Sequence, residues 1–179
     1  EPQEWLARRG VILAASALHT PRILGRSGIR LPHLGRHLQM HLGMGVLAEF
    51  AQPVQEIFGP PQGLEAFPPD LRGAKLATQL LPEELMFSRV PLFGEELREA
   101  LKKTAFHSGW TASLHSASEG HVNLRSGRVT FTPSAEDLSN AASAVTSLGQ
   151  LHFALGARTF YPQSADRPLA LRPGSSPSP

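Results

Sequence analysis

The chain has 179 residues, 41% apolar and 18% charged, which allows a compact domain with a real core and excludes a chain disordered throughout. Its net charge is +2 with no Lys/Arg cluster or aromatic-interleaved basic strip, which argues against nucleic acid as a partner. It holds no cysteine, which excludes disulfides, iron–sulfur clusters, thiolate zinc sites and a cysteine nucleophile.

Glu1-Pro2-Gln3-Glu4-Trp5 has no basic lead and no apolar core behind it, so it is not a signal peptide. That favours the cytoplasm and otherwise leaves the compartment open. No apolar run is long enough to span a bilayer. With no initiator methionine, the chain reads as a segment of a longer protein.

Gly10-Val11-Ile12-Leu13-Ala14-Ala15 is short and apolar and predicts a buried strand. Small residues follow. Thr20 then suits a helix cap, Pro21 its first turn, Arg22 to Ser27 the helix and Gly28 its C-terminal stop. Gly43 to Phe50 predicts a second strand with Val46, Ala48 and Phe50 on one face. The proline-broken stretch from Ala51 to Pro69 reads as ordered loop. Leu76–Leu81 and Leu85–Val90 read as strands on either side of a bend at Pro82. Gly94 to Lys103 predicts an amphipathic helix with Leu97 and Leu101 inward.

Trp110 to His115 alternates like a half-exposed strand. His121–Arg125 and Arg128–Thr132 flank Ser126-Gly127 as a hairpin with a two-residue turn. Ser134-x-x-Asp137 opens a helix in the manner of a capping box. Leu138, Ala141, Val145, Leu148, His152 and Leu155 continue it at helical spacing, and Gly156 ends it. From Gln163 onward Pro, Ser, Arg and Gly predict a disordered tail. The fold class is therefore α+β. Its antiparallel sheet is built from the Gly43, Trp110 and hairpin strands and backed by the Gly94 and Ser134 helices.

Ser16-Ala17-Leu18-His19-Thr20-Pro21-Arg22-Ile23-Leu24-Gly25-Arg26-Ser27-Gly28-Ile29 resembles the second signature of the glucose-methanol-choline (GMC) oxidoreductase family, with Arg30 where the pattern ends in glycine. Leu34-Gly35-Arg36-His37-Leu38-Gln39-Met40-His41 resembles a further family segment. Phe50-Ala51-Gln52-Pro53-Val54 and Thr132 to Ala157 resemble the bacterial branch related to long-chain alcohol oxidases.

The resemblance implies FAD as cofactor, an alcohol as the small-molecule substrate, and the missing N- and C-terminal portions of the same protein as partners. It divides the chain into a residual FAD-domain piece over 1–42, a substrate domain over 43–162 and the tail over 163–179. The Val11 strand would then be an orphan of the FAD domain. It also implies Ala15, Ser16 and Ala17 as the flavin-side contacts, because a small-residue turn lets a cofactor lie against the backbone. Ser16 stands where the family has glycine. Either its hydroxyl bonds the cofactor or the backbone there stands further off. From the residues alone, a tight packing turn with no ligand is the alternative.

No G-x-G-x-x-G occurs in the chain, and none of its eight histidines falls where the family's catalytic histidine lies. The polypeptide alone is therefore expected to be inactive and to retain no flavin, and no residue in it is read as catalytic. A second reading is a non-catalytic binding or interaction module derived from a decayed substrate domain.

His37 and His41, four apart, would share a helix face and could hold a metal, but no third ligand is evident and both read as surface residues. His152 reads as a core imidazole, and His107, His115 and His121 as solvent-facing. Glu83-Glu84 and Glu95-Glu96 read as solvated helix starts. Phe50, Phe58, Phe67, Phe87 and Met86 could line an apolar pocket, although core is the better reading for each singly. No serine sits in G-x-S-x-G, so a hydrolase has no support.

Overall fold

The computed structural model describes residues 3–54, 62–71, 73–88, 90–162 and 169–175, which form two compact units. One comprises residues 41–116 and 134–179, the other 1–40 and 117–133.

The larger unit is built on β1 (His41–Glu49) and β4 (His107–His115), which pair antiparallel from His41↔His115 to Glu49↔His107. β3 (Ala74–Thr78) pairs with the other edge of β4, and β2 (Glu65–Ala66) with β3. β7 (Thr159–Tyr161) closes the far side of β1, giving the order β2-β3-β4-β1-β7, antiparallel throughout. The expected α+β class, with an antiparallel sheet and helices, is what forms.

Strand alternation sends side chains to both faces, and both are covered. Val46, Ala48, Leu76, Ala112 and Leu114 join Ala144 and Leu148 of α4 (Ala135–Ala154) in one core. Leu47 and Tyr161 face the other way, against Met86 and Phe87, with Leu97 and Leu101 of α3 (Gly94–Leu101) packed on them. Leu148 and Leu47 are fully buried, each contributing about 1.5–3 kcal/mol through apolar burial.

Helix α4 starts with the predicted capping box: Ser134 Oγ accepts from Asp137 N–H at 3.0 Å, and Asp137 Oδ2 from Ser134 N–H at 2.9 Å. It ends in a Schellman turn at Gly156, φ +92°, with Ala157 N–H on the His152 carbonyl and Gly156 N–H on that of Phe153. Its inner face runs Asp137, Ala144, Leu148 and His152. Leu138 and Leu155, which share the helical spacing, are exposed: Leu138 lies one position round the helix from that row, and Leu155 is the C-cap, past the last helical residue.

Leu85–Val90 is not a strand. Pro82 is the N-cap of α2 (Glu83–Met86), whose first turn carries Glu83 and Glu84. Proline just before a helix and acids in its first turn outweigh the short apolar run. The expected tail is partly ordered: Leu171 and Phe160 exchange backbone hydrogen bonds at 2.8 Å. Its residues 163–168 and 176–179 lie outside the described residues, as does 55–61 of the expected loop.

In the smaller unit, residues 11–14 form no strand: Val11 is 75% and Ile12 95% exposed, and among the described residues no strand pairs with them. Helix α1 runs Ser16–Arg26, longer than expected. Pro21 lies inside it, and Ala15 rather than Thr20 is its N-cap. It ends at Gly28, φ +80°, where Ile29 N–H bonds the Leu24 carbonyl and Gly28 N–H that of Gly25, the expected glycine stop.

The hairpin β5 (His121–Val122) and β6 (Val129–Thr130) is a separate two-stranded sheet and takes no place in the main one. Its turn is wider than two residues. Asn123 Oδ1 accepts from the N–H of Arg125 and Ser126, and Gly127 N–H returns to the Asn123 carbonyl. An Asx turn thus overrides the Ser-Gly signal. The hairpin is tied to the N-terminal segment by Leu38 and Gly120, paired at 3.0 and 2.7 Å, and by Val122 N–H on the Gly35 carbonyl. Among the described residues, no helix is long and apolar enough to cross a membrane.

Candidate functional site

The bend at Ala15, Ser16 and Ala17 lies at the N-terminus of α1. Ser16 has φ +69°, the left-handed region that side chains resist and glycine accepts. A glycine would take this backbone without that cost. Serine adapts by turning its Oγ back to accept from Leu18 N–H at 3.3 Å, while Thr20 Oγ1 accepts from Ala15 N–H at 3.1 Å. Thr20 therefore braces the bend from inside the helix.

Ala15 is half-buried, and Ser16 and Ala17 are exposed. The first amides of a helix have no intrahelical acceptor, and at this end of α1 they lie among small, exposed side chains. This end suits one edge of a flat, anionic cofactor. The residues present fit contact along that edge and no more, since nothing in the chain supplies a dinucleotide phosphate loop.

At the other end of α1, a cleft of about 400 Å³ is lined by Gly25, Arg26, Ile29, Arg30, Leu34 and Leu124 among others. Gly25 leaves room for Leu124, whose side chain would lie 3.1 Å from an added Cβ. Arg30, the residue that departs from the signature, thus lines a cleft.

The aromatic residues considered for an apolar pocket do not come together. Phe50 belongs to the core under α4, Met86 and Phe87 to the core on the opposite sheet face, Phe67 is exposed, and Phe58 lies outside the described residues. Phe87 does line a cleft of about 380 Å³ with Leu92, Phe93 and Leu97. A larger apolar cavity of about 650 Å³ is bounded by Met44, Val145, Phe153, Phe160, Leu169 and Leu171. Sequence reasoning missed it, because its walls come from β1, α4, β7 and the tail, with no local pattern to join them.

His152 is buried as expected. Its Nδ1–H donates to the Leu148 carbonyl at 2.7 Å, and its ring lies among Phe50, Trp110 and Phe160. Burial pushes its pKa down, and the Leu148 hydrogen bond partly opposes that. His107, expected at the surface, is instead 2% exposed, packed edge-on against Phe87 with its Nδ1 3.0 Å from the Lys103 carbonyl. Burial lowers its pKa too, against the Lys103 bond and the charge of Glu49. His115 and His121 are exposed as expected.

His37 and His41 do not share a helix face. His37 sits in a loop at φ +56° and His41 begins β1. His37 instead meets His33, Nε2 to Nδ1 at 3.2 Å, and Glu119, whose Oε2 is 2.5 Å from its Nδ1. Glu119 lies 82 residues away, so no spacing rule could have found it. Among the described residues, no group of three or more His, Asp or Glu side chains is arranged to hold a metal ion.

Residues 2–43 match the family model described as GMC oxidoreductase, and this match supports that family, one of FAD-dependent oxidoreductases. It spans the bend at Ala15–Ala17 and the whole of α1. No curated protein and no solved structure matches the chain.

Proposed function

We propose that this chain is part of an FAD-dependent GMC oxidoreductase that oxidises the CH–OH group of an alcohol, with Ala15, Ser16 and Ala17 lying against the cofactor. The observation that carries the reading is the glycine-like backbone of Ser16, at φ +69° on an open small-residue bend, inside the segment that matches the family. When bound, FAD supplies the acceptor for the substrate's hydride. The residues here contribute a close backbone approach and the positive end of a helix. The substrate is read as apolar or long-chain, by likeness to the long-chain alcohol oxidase branch. The division into an FAD-domain piece over 1–42 and a substrate domain over 43–162 belongs to the same reading.

By itself the chain is expected neither to retain FAD nor to turn over alcohols, for want of a phosphate loop and a catalytic base. The test has two arms. The isolated chain, mixed with FAD and desalted, should be colourless and inactive on a panel of primary alcohols, and clear turnover would refute that expectation. The complete reading frame should encode G-x-G-x-x-G upstream and a histidine segment downstream, and its product should be yellow and bleach with alcohol. A complete gene with its own start and stop, lacking both flanks, would favour the non-catalytic interaction module.

A further inference from the structure

We propose that His33 and His37 form a two-nitrogen site for a divalent transition-metal ion, held in register by Glu119. The three side chains belong to the smaller unit and come from two stretches of chain, the loop before β1 and the approach to β5.

The geometry is that of a chelate. His33 Nδ1 and His37 Nε2 lie 3.2 Å apart, with ring centroids at 5.1 Å. Two nitrogens bound tetrahedrally to one ion at about 2.0–2.1 Å stand roughly 3.3 Å apart. The separation therefore already suits a shared ion; both exposed rings need only tilt to turn their lone pairs off the N···N line toward it, and the ion replaces the one hydrogen that sits between the nitrogens. His33 then binds through Nδ1 and carries its ring proton on Nε2.

Glu119 sets the tautomer that this requires. Its Oε2 is 2.5 Å from His37 Nδ1, so Nδ1 carries the proton and Nε2 presents its lone pair to His33. A carboxylate on the far nitrogen of a ligating histidine orients the ring and raises its basicity. The backbone points the same way. His37 is one of only two non-glycine residues at positive φ among the described residues, and a strained backbone persists where its surroundings hold it. Both partners are about half exposed, 52% for His37 and 48% for Glu119, so an ion can enter and waters can complete its shell.

Arg36 lines the adjoining cleft with His37 and Glu119, so the site carries no net excess of negative charge. Affinity must then come from the imidazole donors and not from general attraction to cations. The expected order is Cu²⁺ above Ni²⁺ and Zn²⁺, with no measurable binding of Mg²⁺ or Ca²⁺.

Isothermal titration of the full chain with Cu²⁺, Ni²⁺ and Zn²⁺ in chelator-free buffer tests this. One ion per chain is expected. His33→Ala and His37→Asn should each weaken binding at least tenfold, asparagine being chosen because it accepts the left-handed backbone. Glu119→Gln should weaken it by about 10–100-fold. His115→Ala, an exposed histidine of the other unit, should leave it unchanged. Paramagnetic broadening by Cu²⁺ in the unmutated chain should erase the ring signals of His33 and His37 first, a readout that needs no variant to fold. Absence of binding, wild-type affinity in both histidine variants, or broadening that begins at other histidines would overturn the proposal.

Discussion

Ser116 Oγ donates a 2.9 Å hydrogen bond to Asp137 Oδ2, and both side chains are buried. The same oxygen accepts from Ser134 N–H, so one carboxylate joins the exit of β4 to the first turn of α4. Asp137→Ala removes half the capping box and an acceptor for a buried hydroxyl. We expect a loss of about 2–4 kcal/mol, roughly 1 from the cap and about 1–3 from the buried polar group. Asp137→Asn keeps an acceptor and should cost less. Urea denaturation followed by circular dichroism measures both, and a loss near zero for the alanine variant would refute the link.

Acid should destabilise the chain through its two buried histidines. Burial lowers the pKa of His152 and of His107 in the folded state, despite the Leu148 and Lys103 carbonyls and Glu49. Below about 6.5, the unfolded chain takes up protons that the folded chain refuses. Stability therefore rises with pH across the window beneath that value and is progressively lost as pH falls through it. Melting curves from pH 7.5 down to 5 should show the decline. His152→Phe, which fits a ring among Phe50, Trp110 and Phe160, should flatten it. An unchanged slope in that variant would mean that His152 contributes nothing to the decline.

What the sequence discloses follows the range of the forces involved. Ser134-x-x-Asp137, Gly28 and Gly156 were legible because a cap or a helix stop is decided within about five residues. The Val46–Ala48–Phe50 face was legible from alternation. The hairpin after Ser116 was seen, but its placement was not. It forms its own sheet because Leu38 and Gly35 pair with Gly120 and Val122, partners more than 80 positions away. His107 was misplaced for a related reason: it opens β4 on the face covered by Phe87, the C-cap of α2, in the Leu85–Val90 stretch that the sequence suggested was a strand. The bend at Ala15–Ala17 was found by likeness to a family. Its physical cause, a positive φ at Ser16, needed coordinates.

That backbone gives a test at the candidate site. Ser16→Gly relieves left-handed strain of about 1–2 kcal/mol, and set against this are the lost Ser16 Oγ–Leu18 bond and the larger unfolded-state entropy of glycine. The net should be within about 1 kcal/mol of the parent, on the stabilising side. Ser16→Val has a branched side chain in the same conformation and should cost about 1–3 kcal/mol. Thermal melts of the three proteins should rank glycine first and valine last. Valine melting together with serine would mean that the bend does not hold this backbone.

A second glycine tests the main sheet. A Cβ on Gly109, the third residue of β4, would lie 2.8 Å from the Gln79 carbonyl oxygen, and Gln79 N–H is itself bonded to the Gly109 carbonyl at 2.8 Å. The obstacle is backbone held by its own hydrogen bond, so a methyl group must push β4 and the segment after β3 apart. We expect Gly109→Ala to cost about 1–3 kcal/mol. Gly43 in β1 is the contrast, since a Cβ there meets nothing within 4 Å. Gly43→Ala should lie within about 0.5 kcal/mol of the parent, as surface substitutions do. Both changes add the same methyl to a strand of the same sheet, so a difference between them in denaturant midpoint reports the close approach at Gln79. Equal midpoints would show that β4 has room at Gly109.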